Sequence, residues 1–172
     1  MMKIFVPVLA MSALLASTVA GWSAPATGTL QVKLTIAKEC KVVSSNAILT
    51  FDSTKVSAAG NIEDDTGKNG AIEVQCTRDT TYKIALGEGE NYENGSRRMK
   101  TADGKNFVAY VLYSDSKRER PWGSVDKALG VNDPLTGTNA RQSYPVYGRV
   151  FMPKAGIAAG DYADTVTVTV EF

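Results

Sequence analysis

The run Thr165-Val166-Thr167-Val168-Thr169-Val170-Glu171-Phe172 places an apolar residue at every second position. Strand side chains alternate between two faces, whereas helix faces recur every three or four residues, so this stretch is amphipathic only when extended. Val166, Val168, Val170 and Phe172 then share one face. The same period governs Gly28–Ile36, where Leu30, Val32, Leu34 and Ile36 oppose Gln31, Lys33 and Thr35. Such a strand, near one end of the sequence, is either a domain edge or an element to lend. Ile72, Val74 and Cys76 alternate in Ala71–Cys76, and Tyr82, Ile84 and Leu86 repeat the pattern. Beyond the apolar N-terminal run Ile4–Ala20, no stretch carries apolar residues at helical spacing over about three turns. Strands separated by turn signals point to an all-β sandwich.

Val42, Val43 and Ile48–Phe51 are short β-type runs around a turn at Ser44-Ser45-Asn46. Asp52–Asn69 is polar and glycine-bearing and reads as an exposed loop, as does Gly87–Gly95. Arg78-Asp79-Thr80 is a turn. Ala102-Asp103-Gly104 is a hairpin signal, because glycine supplies positive φ at no steric cost. Phe107–Tyr113 is apolar on both faces and reads as the most buried strand. Ser114–Gln142 is irregular, with Pro121, Trp122, Gly123, Pro134 and Gly137. Ser143–Met152 resumes a β pattern, with Pro145 requiring an edge or a bulge.

The 172 residues suffice for one domain with a real core. Net charge is +1 with both signs scattered, so no basic surface argues for nucleic acid. Histidine is absent, which removes the commonest general base and the commonest metal ligand and argues against an enzyme. Lys3 precedes an apolar run from Ile4 to Ala20 that contains Pro7 and ends in small residues. It reads as a signal peptide over 1–24, cleaved between 20 and 26, and is short for a membrane span. In an exported chain Cys40 and Cys76, the only cysteines, read as one disulfide; a zinc site is the alternative, though two thiols without histidine rarely suffice. Closing that loop contributes about 3 to 4 kcal/mol in the chain-entropy model.

Candidate chemistry elsewhere has bland competitors. Ser114-Asp115-Ser116-Lys117 matches the S-x-x-K acyl-enzyme pattern but lies at a strand end without companion motifs. Glu63-Asp64-Asp65 has carboxylates that suit calcium without the spacing that wraps one ion. Gly87-Glu88-Gly89 lacks the lysine of a phosphate loop. Arg97-Arg98 reads as a solvated face or a partner for the local carboxylates, Trp122 as packing against a core edge, and Asn94-Gly95-Ser96 as either a glycosylation sequon or a turn. No catalytic, cofactor-binding or metal residue is assigned.

Order and spacing of several short motifs resemble the spore coat protein U domain family, which includes subunits of Csu-type, or archaic, chaperone/usher pili. The similarity runs through Leu30–Ile36 and Cys40, Ile72-Glu73-Val74-Gln75-Cys76-Thr77, Tyr82–Leu86, Ser96-Arg97-Arg98-Met99-Lys100, Tyr110–Asp115 with Trp122-Gly123, Tyr147-Gly148-Arg149, and Gly160-Asp161-Tyr162-Ala163-Asp164-Thr165. The resemblance implies an incomplete immunoglobulin-like β-sandwich completed by a donor strand over 27–37, with the domain proper over 38–172. Leu30, Val32, Leu34 and Ile36 would be the donor side chains, and Val166, Val168, Val170 and Phe172 the strand beside the acceptor groove. Cys40 and Cys76 match the family's disulfide. Implied partners are other copies or related pilins, a periplasmic chaperone and an outer-membrane usher. The implied product is a surface fimbria serving adhesion and biofilm formation. A secreted or coat-associated, self-complemented binding module is the alternative.

Overall fold

The computed structural model describes residues 23–44, 47–67, 70–123, 133–153 and 156–172. Most of the signal-peptide assignment, including the cleavage point after Ala20, lies outside them, as do Ser45 and Asn46. The chain divides after Thr35. In the first unit, described residues 23–35 belong to no strand and are exposed.

Among its described residues the second unit contains eleven strands and no helix. They are β1 (Cys40–Val42), β2 (Ile62–Asp65), β3 (Ile72–Cys76), β4 (Thr81–Leu86), β5 (Arg97–Thr101), β6 (Phe107–Tyr113), β7 (Leu135–Thr136), β8 (Arg141–Tyr144), β9 (Tyr147–Val150), β10 (Tyr162–Ala163) and β11 (Val168–Glu171). Three antiparallel sheets result, in the orders β1-β3-β8, β10-β5-β6-β9-β2 and β11-β4-β7. The fold is an incomplete immunoglobulin-like sandwich whose core is built from alternate residues of β3, β4, β6 and β9.

Ile72, Val74 and Cys76 are buried while Glu73 and Gln75 are half-buried, as period-two alternation requires. Cys40 and Cys76 are opposite one another in the β1–β3 register and are disulfide-bonded. Trp122 is 1% exposed, and its indole N–H donates to Ile84 O at 2.8 Å, which satisfies the one polar atom that such a burial strands. At the hairpin between β5 and β6, Gly104 has φ +69° and Asp103 accepts from the Thr101 hydroxyl and Lys105 N–H.

Four expectations are corrected. Asp52–Asn69 is not wholly loop: β2 lies within it, because Ile62 joins the core and Glu63 meets Arg149 at 2.7 Å. Phe107–Tyr113 is not apolar-buried on both faces; Phe107 is exposed, with the Arg98 guanidinium 4.4 Å over its ring, and Ala109 and Val111 are half-buried. Ser143–Met152 is two strands on different sheets, with Pro145 in the passage between them. Ile48–Phe51 forms no strand.

Candidate functional site: an open groove in the sandwich

Between the sheets lies a cavity of about 330 Å³. Its floor is apolar: Ile72 of β3, Leu86 of β4, Met99 of β5 and Tyr110 and Leu112 of β6. One flank is Ala47, Ile48, Leu49 and Phe51; the other is Tyr162, Ala163, Asp164, Val166 and Val168. Protein interiors pack like organic crystals, and a water needs only about 10–15 Å³ of such space. An apolar cavity of this size in so small a sandwich is therefore a missing piece of core.

Its flanks are short of backbone partners. Residues 47–51 and 164–167 lie outside every strand. Among the described residues β11 pairs with β4 alone. Gly87 N–H donates to Thr167 O at 2.8 Å, so in this antiparallel ladder the backbone groups of Thr169 and Glu171 face β4 and those of Val168 and Val170 face away. That outward row is a template for one more strand.

Local sequence explains both flanks. Glycine at 148 leaves room on β9: a Cβ there would collide with Leu49 and the Phe51 ring, which pack into that space. Opposite, the Asp164 carboxylate accepts from the Tyr110 hydroxyl at 2.6 Å, from Asn91 Nδ2 at 2.8 Å and from Asn91 N–H at 3.2 Å. Burial first, and then the Asp164 hydrogen bond and charge, push the Tyr110 hydroxyl well above the ordinary tyrosine pKa.

The spore coat protein U domain matches residues 26–169. This chain belongs to that family. Protein U of Myxococcus xanthus is 33% identical to it over 130 residues, which are 72% of this chain and 69% of that protein. As a spore coat U domain, it also resembles pilus subunits in fold. A chain of the Acinetobacter baumannii complex between the chaperone CsuC and the tip adhesion subunit CsuE, from archaic chaperone-usher Csu pili, matches 80% of it at 24% identity with TM-score 0.55; this chain spans 41% of that one. The P pilus rod subunit PapA matches 77% of this chain and 97% of its own at 15% identity with TM-score 0.50. Its fold is pilin-like.

Within this spore coat U domain, Val166 and Val168 line the groove. Val170 is half-buried against the core and Phe172 is 60% exposed. Leu30, Val32, Leu34 and Ile36 are 88, 86, 84 and 72% exposed and lie outside every strand. Sequence reasoning passed over Asp164 and Tyr110 as site residues, although an acid just before the Thr/Val alternation was the available signal.

The other candidates make the following contacts. Glu63 pairs with Arg149 and, at 3.5 Å, with Arg118, while Asp64 pairs with Lys55 at 3.0 Å; no metal-binding group occurs among the described residues. Arg97 is not solvated as expected: its guanidinium donates to Leu86 O, Gly87 O and Trp122 O at 2.7–2.9 Å. Arg98 pairs with Glu93 at 2.7 Å. Asn94 and Gly95 have φ +51° and +82° between the mutually bonded Glu93 and Ser96, a two-residue turn. Ser114 donates its N–H to Arg120 O at the end of β6, where Ser114-Asp115-Ser116-Lys117 opens no helix.

Proposed function

We propose that this chain is a structural subunit of a surface fibre in which Thr27–Ala37 of one copy fills the groove of the next. One observation carries the reading: an unfilled apolar groove, with an unpaired strand edge beside it, occurs in the same chain as an alternating segment whose large aliphatic residues are almost fully exposed. Strand addition would satisfy both, backbone hydrogen bonds giving affinity and alternate side chains entering the gap. Each aliphatic side chain so buried contributes about 1.5–3 kcal/mol before ordering costs, so four are comparable to the whole stability of a domain, about 5–15 kcal/mol. The addition is head-to-tail and does not close on itself, so it grows a filament.

The rest of the reading follows from this step. A vacant edge invites aggregation, which a periplasmic chaperone would prevent by lending a strand, and an outer-membrane usher would catalyse exchange for the donor. Lys3 with its apolar run supplies the export signal, and adhesion and biofilm formation are the roles of the finished fibre. The likeness to a chain of a chaperone–subunit complex of Csu pili supports this in fold. Deleting residues 27–37 tests it: the subunit should remain bound to the chaperone and form no heat-resistant oligomers on gels. Fibres from the deleted chain would refute the donor assignment, and a stable monomer purified without any chaperone would favour the self-complemented module.

A further inference from the structure

The C-terminal segment changes sheets within a few residues. Tyr162 and Ala163 pair with Thr101 and Lys100 of β5, whereas Val168–Glu171 pair with β4 on another sheet. Across the passage the backbone is held by Thr165 O, which accepts from Glu90 N–H at 3.1 Å, and by Thr167 O. The passage is also the groove's flank, since Asp164, Val166 and Val168 line the cavity. Something must hold it back from collapsing over the apolar floor.

We propose that Asp164 is the positioning residue that keeps this groove open to its occupant, a proposal that rests on the groove reading above. Its carboxylate ties the passage to two other elements, accepting from Tyr110 of β6 and twice from Asn91 of the loop after β4. Gly89, at φ +86°, completes the seat: a Cβ there would collide with the Asp164 carboxylate, so only glycine lets the loop close upon it. No ion pair to Asp164 occurs among the described residues, so its hydrogen bonds fix its position. A carboxylate offers about four acceptor positions, and three are engaged by these two residues. Tyr110 and Asp164 both line the cavity. Their bond therefore sets the distance between the β6 floor and the flank that carries Val166 and Val168. The side chain acts on the occupant through that spacing and need not touch it.

The test uses the full chain held by its chaperone and a fluorescent synthetic peptide of residues 27–37 in excess over the chain's own segment, with affinity read by anisotropy as the peptide displaces the chaperone and folding by thermal melting of the peptide-bound product. Asp164→Asn, Tyr110→Phe and the double variant should each bind the peptide about tenfold more weakly than wild type. The double should be no weaker than either single, because all three break one linkage. Glu63→Gln, which breaks the ion pair with Arg149 on β9, should lower the melting temperature and leave affinity unchanged. Wild-type affinity in Asp164→Asn, or losses that add in the double variant, would overturn the positioning role while leaving the groove reading intact. Failure of the wild type to bind the peptide would overturn the groove reading and this proposal with it.

Discussion

Gly28–Ile36 and Thr165–Phe172 carry the same period and nearly the same apolar content, yet they sit in opposite environments. Val166, Val168 and Val170 are half-buried, and β11 is bonded to β4 along Lys83–Leu86. Leu30, Val32 and Leu34 are exposed and bonded into no sheet. Alternation thus specifies that a segment has a greasy face and says nothing about whose core receives it. What separates the two is linkage: the C-terminal segment is fastened through Asp164, Tyr110 and the β4 ladder, whereas the first covalent fastening beyond Ile36 is Cys40, bonded to Cys76.

The difference can be broken from the N-terminal side first. Leu34→Asp should weaken assembly by about 4 kcal/mol, roughly a thousandfold, by placing a charge in an apolar gap, and should leave the subunit's own unfolding midpoint unchanged. Dissociation of the fibres in denaturant measures the first effect and melting of the chaperone-bound subunit the second. Next, replacing Cys40 and Cys76 together with serine should cost the domain about 3 to 4 kcal/mol, read as a lower urea midpoint, since the bridge closes a sequence separation of 36.

High pH should act on the C-terminal side through Tyr110, and separately on the Tyr82–Tyr144 pair, where burial also raises the Tyr144 hydroxyl. Tyr110 is 5% exposed and its folded pKa is raised, mainly by burial, so below pH 10 both states keep the proton. Above pH 10 the unfolded chain loses it and the folded chain does not. Stability then falls by up to about 1.4 kcal/mol per pH unit from this group, and Tyr110→Phe should remove that part of the slope in alkaline unfolding curves. Smallest is Val168→Ala, which should cost about 1 kcal/mol of folding stability because the side chain is only half-buried, with a similar loss in peptide binding. An equal truncation at Val32 should leave folding stability untouched.

Much of this architecture was legible because its strands alternate. Ala71–Cys76, Tyr82–Leu86 and the Asp103-Gly104 hairpin all lie where period and turn chemistry put them. β2 was illegible, since Ile62-Glu63-Asp64-Asp65 has one apolar residue; it is a strand because Ile62 finds the core and Glu63 finds Arg149, a partner 86 residues away. The two strands flanking Pro145 were fused into one because a change of sheet leaves no mark on period two. At the groove, the valines were readable from pattern alone. Asp164 was not, because its role arises from Tyr110 and Asn91, which only the fold brings to it.

The antiparallel pairing of β2 with β9 and of β11 with β4 joins residues distant in sequence. Loop closure must precede any gain from such contacts, so folding of this sandwich should be slow, on the millisecond-to-second scale of non-local β topologies. If the chain is exported N-terminus first, as the proposed function has it, β3, β4 and β6 emerge well before the strands that cover them. Their apolar residues must wait in the unfinished state for Val150 and Val168 to arrive. A chaperone that recognises only the finished groove, or only the C-terminal Thr/Val segment, would come too late for that interval; one that engages the apolar faces of β3, β4 or β6 as they emerge would cover it.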